Sequence, residues 1–270
     1  MTKWGMCIDL NRCVGCGACV VACQLQNNQS PNVSWIKLDT VEWGETADDA
    51  GRAFIPHACM HCVDAPCVEV CPTGASQKLD DGVVIVDYEA CINCGSCIGA
   101  CPYGARTANK DGGNYFGADE QAPYEAYGVQ RSNVVEKCIF CHERVAEGET
   151  TACVHNCPAK ARFFGDLDDP ESDVSVRIAK GDAEQVDETS FYYVPARGMD
   201  HELLPSTGAV GAPADGTNTT TKTESTQAAP GIDPVAVTAG AAAVAVVGAA
   251  VGVGVKKSRD RKAASDNQDN

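Results

Sequence analysis

Sixteen of the chain's 17 cysteines fall into four tetrads: Cys13, Cys16, Cys19 and Cys23; Cys59, Cys62, Cys67 and Cys71; Cys91, Cys94, Cys97 and Cys101; Cys138, Cys141, Cys153 and Cys157. The first and third have the spacing Cys-x2-Cys-x2-Cys-x3-Cys. Three thiolates so close together can wrap one iron–sulfur cubane, while the fourth aims away from the loop and can ligate a neighbouring cluster. Sixteen ligands at four per cluster predict four [4Fe–4S] centres. Disulfides suit small secreted domains and normally use an even number of cysteines. Zinc is the stronger rival: the fourth tetrad, with eleven residues between Cys141 and Cys153, taken alone reads as zinc about as readily as iron. Proline follows three of the tetrads, at Pro72, Pro102 and Pro158, and the spacing of the whole set favours iron.

Those ligands need loops and strands to aim them. Between the second and third tetrads, Gln77 to Val86 contains an Asp81-Gly82 turn feeding the β-branched run Val83-Val84-Ile85-Val86, a hairpin signal. Cys59 to Cys101 is therefore compact enough to be one two-cluster module. Crossed ligation within it places Cys59, Cys62, Cys67 and Cys101 on one cluster and Cys71, Cys91, Cys94 and Cys97 on the other. The outer tetrads then form a second module around the first. In it Cys13, Cys16 and Cys19 share a cluster with Cys157, and Cys138, Cys141 and Cys153 share one with Cys23. An uncrossed arrangement is the alternative, and it would bend each fourth Cys back toward its own loop.

The chain resembles the four-cluster iron–sulfur (beta) subunits of the dimethyl sulfoxide reductase, polysulfide reductase and formate dehydrogenase group of molybdopterin oxidoreductases. The residues that carry the resemblance are Gly5-Met6-Cys7-Ile8-Asp9-Leu10-Asn11-Arg12-Cys13-Val14-Gly15-Cys16, Pro56-His57-Ala58-Cys59-Met60-His61-Cys62, Pro66-Cys67, Cys71-Pro72-Thr73-Gly74-Ala75, Cys101-Pro102-Tyr103-Gly104-Ala105-Arg106, Lys137-Cys138 and Phe164-Gly165-Asp166. It covers roughly residues 3–195. It implies a non-catalytic subunit that relays electrons between a molybdopterin catalytic subunit and a membrane quinone-reactive partner. Some members of the group replace one Cys of the third tetrad; here Cys91, Cys94, Cys97 and Cys101 are all present. Cys7 departs from the pattern, standing where an aliphatic residue is more usual.

Cys7 lies in an apolar alternation, Trp4 to Leu10, that predicts a short strand, and there it reads as a small buried hydrophobe rather than a ligand. His61 and His142 flank cluster cysteines, but every tetrad is complete without them, so a supporting or surface role is expected. Lys137 and Arg106 stand beside cluster cysteines; they either raise a cluster's potential by their charge or are solvated surface groups. No nucleophile–base constellation, Walker loop or dinucleotide fingerprint is present.

The fold class expected is α+β, with a double ferredoxin-type domain over residues 1–204: an inner module about 54–108 and an outer module of 1–53 plus 130–170. Metal coordination replaces much of the hydrophobic core in such modules, so the cluster-free chain should fold poorly. Val33 to Phe54 reads as strands and loops, and Ala108 to Gln130 as a surface insertion. A net charge of −16 argues against nucleic-acid binding. Residues 205–232 read as a flexible, disordered linker. The uncharged run 234–255 reads as a single transmembrane helix, and the basic tail 256–270, with Lys256, Lys257, Arg259, Arg261 and Lys262, as its cytoplasmic stop. That polarity places the cluster domain on the extracytoplasmic side of the cytoplasmic membrane. Met1-Thr2-Lys3-Trp4 shows neither an apolar signal core nor twin arginines, so export is expected to ride on a signal-bearing partner. The competing function is a stand-alone polyferredoxin or a cluster-based redox sensor, which needs no membrane helix or catalytic partner.

Overall fold

The computed structural model describes residues 2–113 and 131–206. The chain divides into two units, Met1–Thr223 and Glu224–Asn270, and every described residue belongs to the first. The described elements alternate short strands with short helices: β1 (Trp4–Asp9), α1 (Ala18–Gln26), β2 (Lys37–Trp43), β3 (Gly51–His57), α2 (Pro66–Glu69), β4 (Ser76–Lys78), β5 (Val84–Val86), α3 (Ser96–Gly99), β6 (Thr107–Asn109), β7 (Val134–Glu136), α4 (His142–Ala146), α5 (Ala152–His155), β8 (Arg162–Asp166), α6 (Asp173–Ile178), β9 (Glu184–Gln185) and β10 (Phe191–Val194).

A four-stranded sheet, in the order β8-β1-β10-β9, closes the outer part of the chain. β1 runs antiparallel to β8, with Gly5 opposite Gly165, and parallel to β10, with Met6 opposite Phe191. This pairing brings the flank of the first tetrad against the flank of the last. Because successive side chains of a strand face opposite ways, Met6 and Ile8 enter the main core with Trp35, Ile55, Phe140, Phe164, Phe191 and Tyr193. Cys7 faces the other side, fully buried with Val174 and Val194 beneath α6. The strand at residues 4–9 and the packing role of Cys7 agree with the sequence pattern.

The hairpin between the second and third tetrads is present: β4 and β5 pair antiparallel, Ser76 opposite Val86. Its turn closes through the Gly82 N–H donating to the Leu79 carbonyl at 3.0 Å, with Gly82 at φ +83°. β2 and β3 form a longer antiparallel ribbon. Ala108 does not open a surface insertion as the composition predicted. It lies in β6, which pairs with β7, and Asn109 beside it donates to Ser30 and Glu136. Residues 114–130, the linker from 207, the apolar run 234–255 and the basic tail lie outside the described residues. Among the described residues no helix is long and apolar enough to cross a membrane.

Candidate cluster-binding site

In every tetrad the third cysteine sits on a short helix and the fourth follows four residues later: Cys19 and Cys23, Cys67 and Cys71, Cys97 and Cys101, Cys153 and Cys157. In α1 four residues advance the helix by about 6 Å, and α2, α3 and α5 each end two residues before the fourth cysteine, so the fourth sulfur is carried away from the loop that holds the first three. The helices then pack in pairs, α1 against α5 and α2 against α3. Each fourth cysteine thereby reaches the loop of its partner tetrad.

Three cavities record the result. Cys13, Cys16, Cys19 and Cys157 line one. Cys23, Cys138, Cys141 and Cys153 line a second. Cys71, Cys91, Cys94 and Cys97 line a third. The remaining four cysteines also neighbour one another: the thiols of Cys59, Cys67 and Cys101 all raise the pKa of Cys62 by their charge, beyond the larger effect of burial, which together push it up to about 12. Among the described residues no three His, Cys, Asp or Glu side chains converge on a point as ligands of one metal ion would. A zinc ion needs four donors within about 2.3 Å of its centre. Sulfurs spread around a cavity fit a larger body, and the donor set is all thiol.

The loops are shaped for this spread. The residue two after the first cysteine is left-handed in all four tetrads: Gly15 (φ +67°), His61 (φ +48°), Asn93 (φ +51°) and Phe140 (φ +51°). Gly and Asn accept that conformation readily, whereas bulky residues hold it only under tertiary constraint. The constraint is visible: His61 and Phe140 are both buried and stack on each other at 3.8 Å between centroids. His61 Nδ1 accepts the Val84 N–H at 3.0 Å. Burial, reinforced by the charges of Lys137 and Arg106, lowers the His61 pKa well below its ordinary value. His61 is thus a neutral packing group between Phe140 and the backbone of β5. His142 instead reaches the surface and pairs with Asp81 at 3.3 Å.

Backbone amides meet most of the fourth cysteines. Ser76 N–H donates to Cys71 Sγ at 3.3 Å, Ala105 to Cys101 at 3.4 Å and Ala161 to Cys157 at 3.3 Å. Each of these cysteines precedes a proline that ends its helix and turns the chain back under the sulfur. Cys23 is followed by Gln24, and α1 continues to Gln26. There side-chain amides replace the backbone: Gln29 Nε2 donates to Cys23 Sγ at 3.2 Å and Asn27 Nδ2 at 3.5 Å. Gln29 could not be picked out from motif spacing, although the missing proline after Cys23 was the available signal.

Cations complete the surroundings. Lys137 is buried, and its ammonium donates to the backbone carbonyls of Val84 and of Cys138 rather than to a cysteine sulfur. Arg106 donates to Cys67 Sγ at 3.0 Å and to Ser76 Oγ at 2.8 Å. Arg162, five residues after Cys157 as Arg106 is after Cys101, lines both the cavity of Cys157 and that of Cys23.

A model described as a 4Fe-4S dicluster domain matches residues 51–119 and 114–167, and another of the same description matches residues 12–75. A Halobacterium salinarum protein provisionally named as a dimethyl sulfoxide reductase iron–sulfur subunit is 40% identical over 72% of this chain and 79% of its own. A selenate reductase subunit of Mesobacillus selenatarsenatis is 41% identical over 66% of this chain and 65% of its own. The arsenate respiratory reductase iron–sulfur subunit of a Shewanella species is 37% identical over 65% of this chain and 87% of its own. The chain belongs to the dimethyl sulfoxide reductase family of iron–sulfur subunits. As a member of that family it is a [4Fe–4S] electron-transfer subunit and not itself a catalyst. The family membership favours iron over zinc for the fourth tetrad as well, because residues 114–167 fall within the matched dicluster domain.

Proposed function

We propose that the sixteen cysteines hold four [4Fe–4S] clusters in crossed sets: Cys13, Cys16, Cys19 and Cys157; Cys23, Cys138, Cys141 and Cys153; Cys59, Cys62, Cys67 and Cys101; Cys71, Cys91, Cys94 and Cys97. The observation that carries this reading is the lining of the cavities, each by three cysteines of one tetrad and one of its partner. When bound, such clusters supply reversible one-electron chemistry. The residues order the sets in a line. Arg162 stands between the first and second, and the Cys138 thiol feels the charge of Cys59 across the module junction. Arg106 then spans from Cys67 to the cavity of Cys71, Cys91, Cys94 and Cys97. Buried residues such as Met60 and Phe140 keep water from the middle of the line. At its two ends Cys16 and Cys94 are exposed, beside the exposed apolar tips Val14 and Ile92. Those tips are where redox partners would dock.

One partner in this reading is a molybdopterin-containing catalytic subunit, which the names of the relatives as parts of reductases support. The other is the membrane quinone pool, reached directly or through a quinone-reactive membrane protein. The run 234–255 would anchor the chain as one helix, and the basic residues after it would hold the tail in the cytoplasm and the cluster domain outside. Iron and sulfide analysis of the purified complex tests the ligation: sixteen irons are expected in this chain, and replacing Cys157 with Ser should remove the signal of one cluster. Protease added to intact spheroplasts should degrade the cluster domain. Protection of that domain while a tail epitope is cut would reverse the orientation.

A further inference from the structure

Two arginines occupy equivalent places in the two modules. In Cys101-Pro102-Tyr103-Gly104-Ala105-Arg106 and Cys157-Pro158-Ala159-Lys160-Ala161-Arg162 the arginine follows the cysteine by five residues. Both turns pass through a left-handed residue at the third step, Gly104 at φ +55° and Lys160 at φ +48°. Both donate the N–H of the next residue, alanine, to the cysteine sulfur. The shared turn delivers each guanidinium to the same position, between the two cysteine sets of its own module.

Both side chains are buried, Arg106 at 4% and Arg162 at 5% exposure. Arg106 Nε and Arg162 Nε and Nη1 have no hydrogen-bond partner among the described residues. Nor does either arginine pair with a carboxylate there, although Arg52, Arg131, Arg144 and Arg177 do. A guanidinium cannot shed its proton, and a buried charge without a counter-charge is strongly unfavourable. The groups whose charge acts on these two are mainly cysteine sulfurs: Cys67, Cys97 and Cys59 around Arg106, and Cys153, Cys19 and Cys138, with the Tyr193 phenol, around Arg162.

We propose that Arg106 and Arg162 are positioning cations, each raising the reduction potential of the two clusters of its own module and leaving the other module alone. The inference rests on the crossed ligation above. A thiolate-bound cluster is anionic and gains a further negative charge on reduction, so a fixed cation beside it favours the reduced form.

The test is a redox titration followed by electron paramagnetic resonance on the full-length, cluster-loaded chain in its complex, comparing Arg106→Gln, Arg162→Gln and the corresponding Lys variants. Each Gln variant should keep its iron and lower two of the four midpoints by about tenfold in the reduction equilibrium, 59 mV for one electron. The affected pair should differ between the two sites, and Lys should restore much of the loss. Unchanged midpoints with full iron content, or equal shifts at all four clusters, would overturn the proposal. So would iron loss in both the Gln and the Lys variants, which makes the arginines structural. A wild-type chain with fewer than sixteen irons would instead overturn the ligation on which the proposal rests.

Discussion

At the scale of single residues, space and φ separate glycines that share a conformation. Gly15 (φ +67°) and Gly95 (φ +78°) both lie in cluster loops, yet a Cβ on Gly15 would meet the Phe54 ring at 2.5 Å, whereas one on Gly95 meets nothing within 4 Å. Gly95→Ala therefore bears only the left-handed strain, about 1–2 kcal/mol, and should keep all clusters by iron analysis. Gly15→Ala adds a clash and should lose the cluster signal associated with Cys13, Cys16 and Cys19. The seventeenth cysteine gives a complementary case. Burial, opposed by the nearby Arg177 charge, pushes the Cys7 pKa up to about 12. In the native protein it should resist alkylation at neutral pH, and Cys7→Ala should retain a full iron count at a cost of about 1 kcal/mol. A lost cluster in that variant would make Cys7 a ligand.

Among elements, α6 shows how the outer sheet is fastened. Ser172 caps its first turn by accepting the Ser175 N–H at 3.2 Å. From its last turn Arg177 donates to Asp9 at 3.0 Å and to Asp182 at 2.5 Å, with the Arg177 and Asp9 side chains 5% and 10% exposed. Breaking such a buried pair leaves a carboxylate without its partner, so Arg177→Met should cost about 3 kcal/mol, read as a lower Tm with iron content unchanged. The β2–β3 ribbon carries a milder, pH-dependent tie. His57 Nε2 donates to Asp39 at 2.8 Å and holds that carboxyl below its ordinary range, against a smaller opposing effect of burial. The sign follows: this stabilisation is complete above the unfolded carboxyl's pKa of about 3.9 and disappears as pH falls through the lower folded value. Asp39 is largely exposed, so the contribution is below ~1 kcal/mol, and Asp39→Asn should remove it from the acid limb of a thermal stability profile. Elements of this kind were unevenly legible in the sequence. The β1 alternation and the Asp81-Gly82 hairpin could be read because their patterns are local. β6 could not, since its pairing with β7 joins residues far apart across the span 114–130, and Asn109 looks like a loop residue until Glu136 is placed beside it. Arg162 was half legible: its run Cys157-Pro158-Ala159-Lys160-Ala161-Arg162 repeats that of Arg106, but the two cavities it lines are built from both ends of the chain.

The whole molecule depends on the groups it is built to hold. Its cysteines are held apart around cavities that interrupt the core, and burial raises the pKa of most of those whose shift is resolved, Cys23 and Cys138 strongly. The same thiols must be deprotonated to bind iron, so loading the chain releases protons and lets metal coordination substitute for missing hydrophobic contacts. Two consequences are linked. Chelation of iron should abolish most far-ultraviolet circular dichroism of residues 2–206, because the short helices α2, α3 and α5 have little stability apart from the cysteines they carry. And the chain should lose iron to a chelator faster at about pH 6 than at about pH 8, since protons compete for the ligating sulfurs. Both are read in one experiment that follows iron absorbance and dichroism together at the two pH values. Coincident loss of the two signals, earlier at the lower pH, is expected. Dichroism that survives complete removal of iron would show instead that the sheet β8-β1-β10-β9 and its aromatic core fold without the clusters.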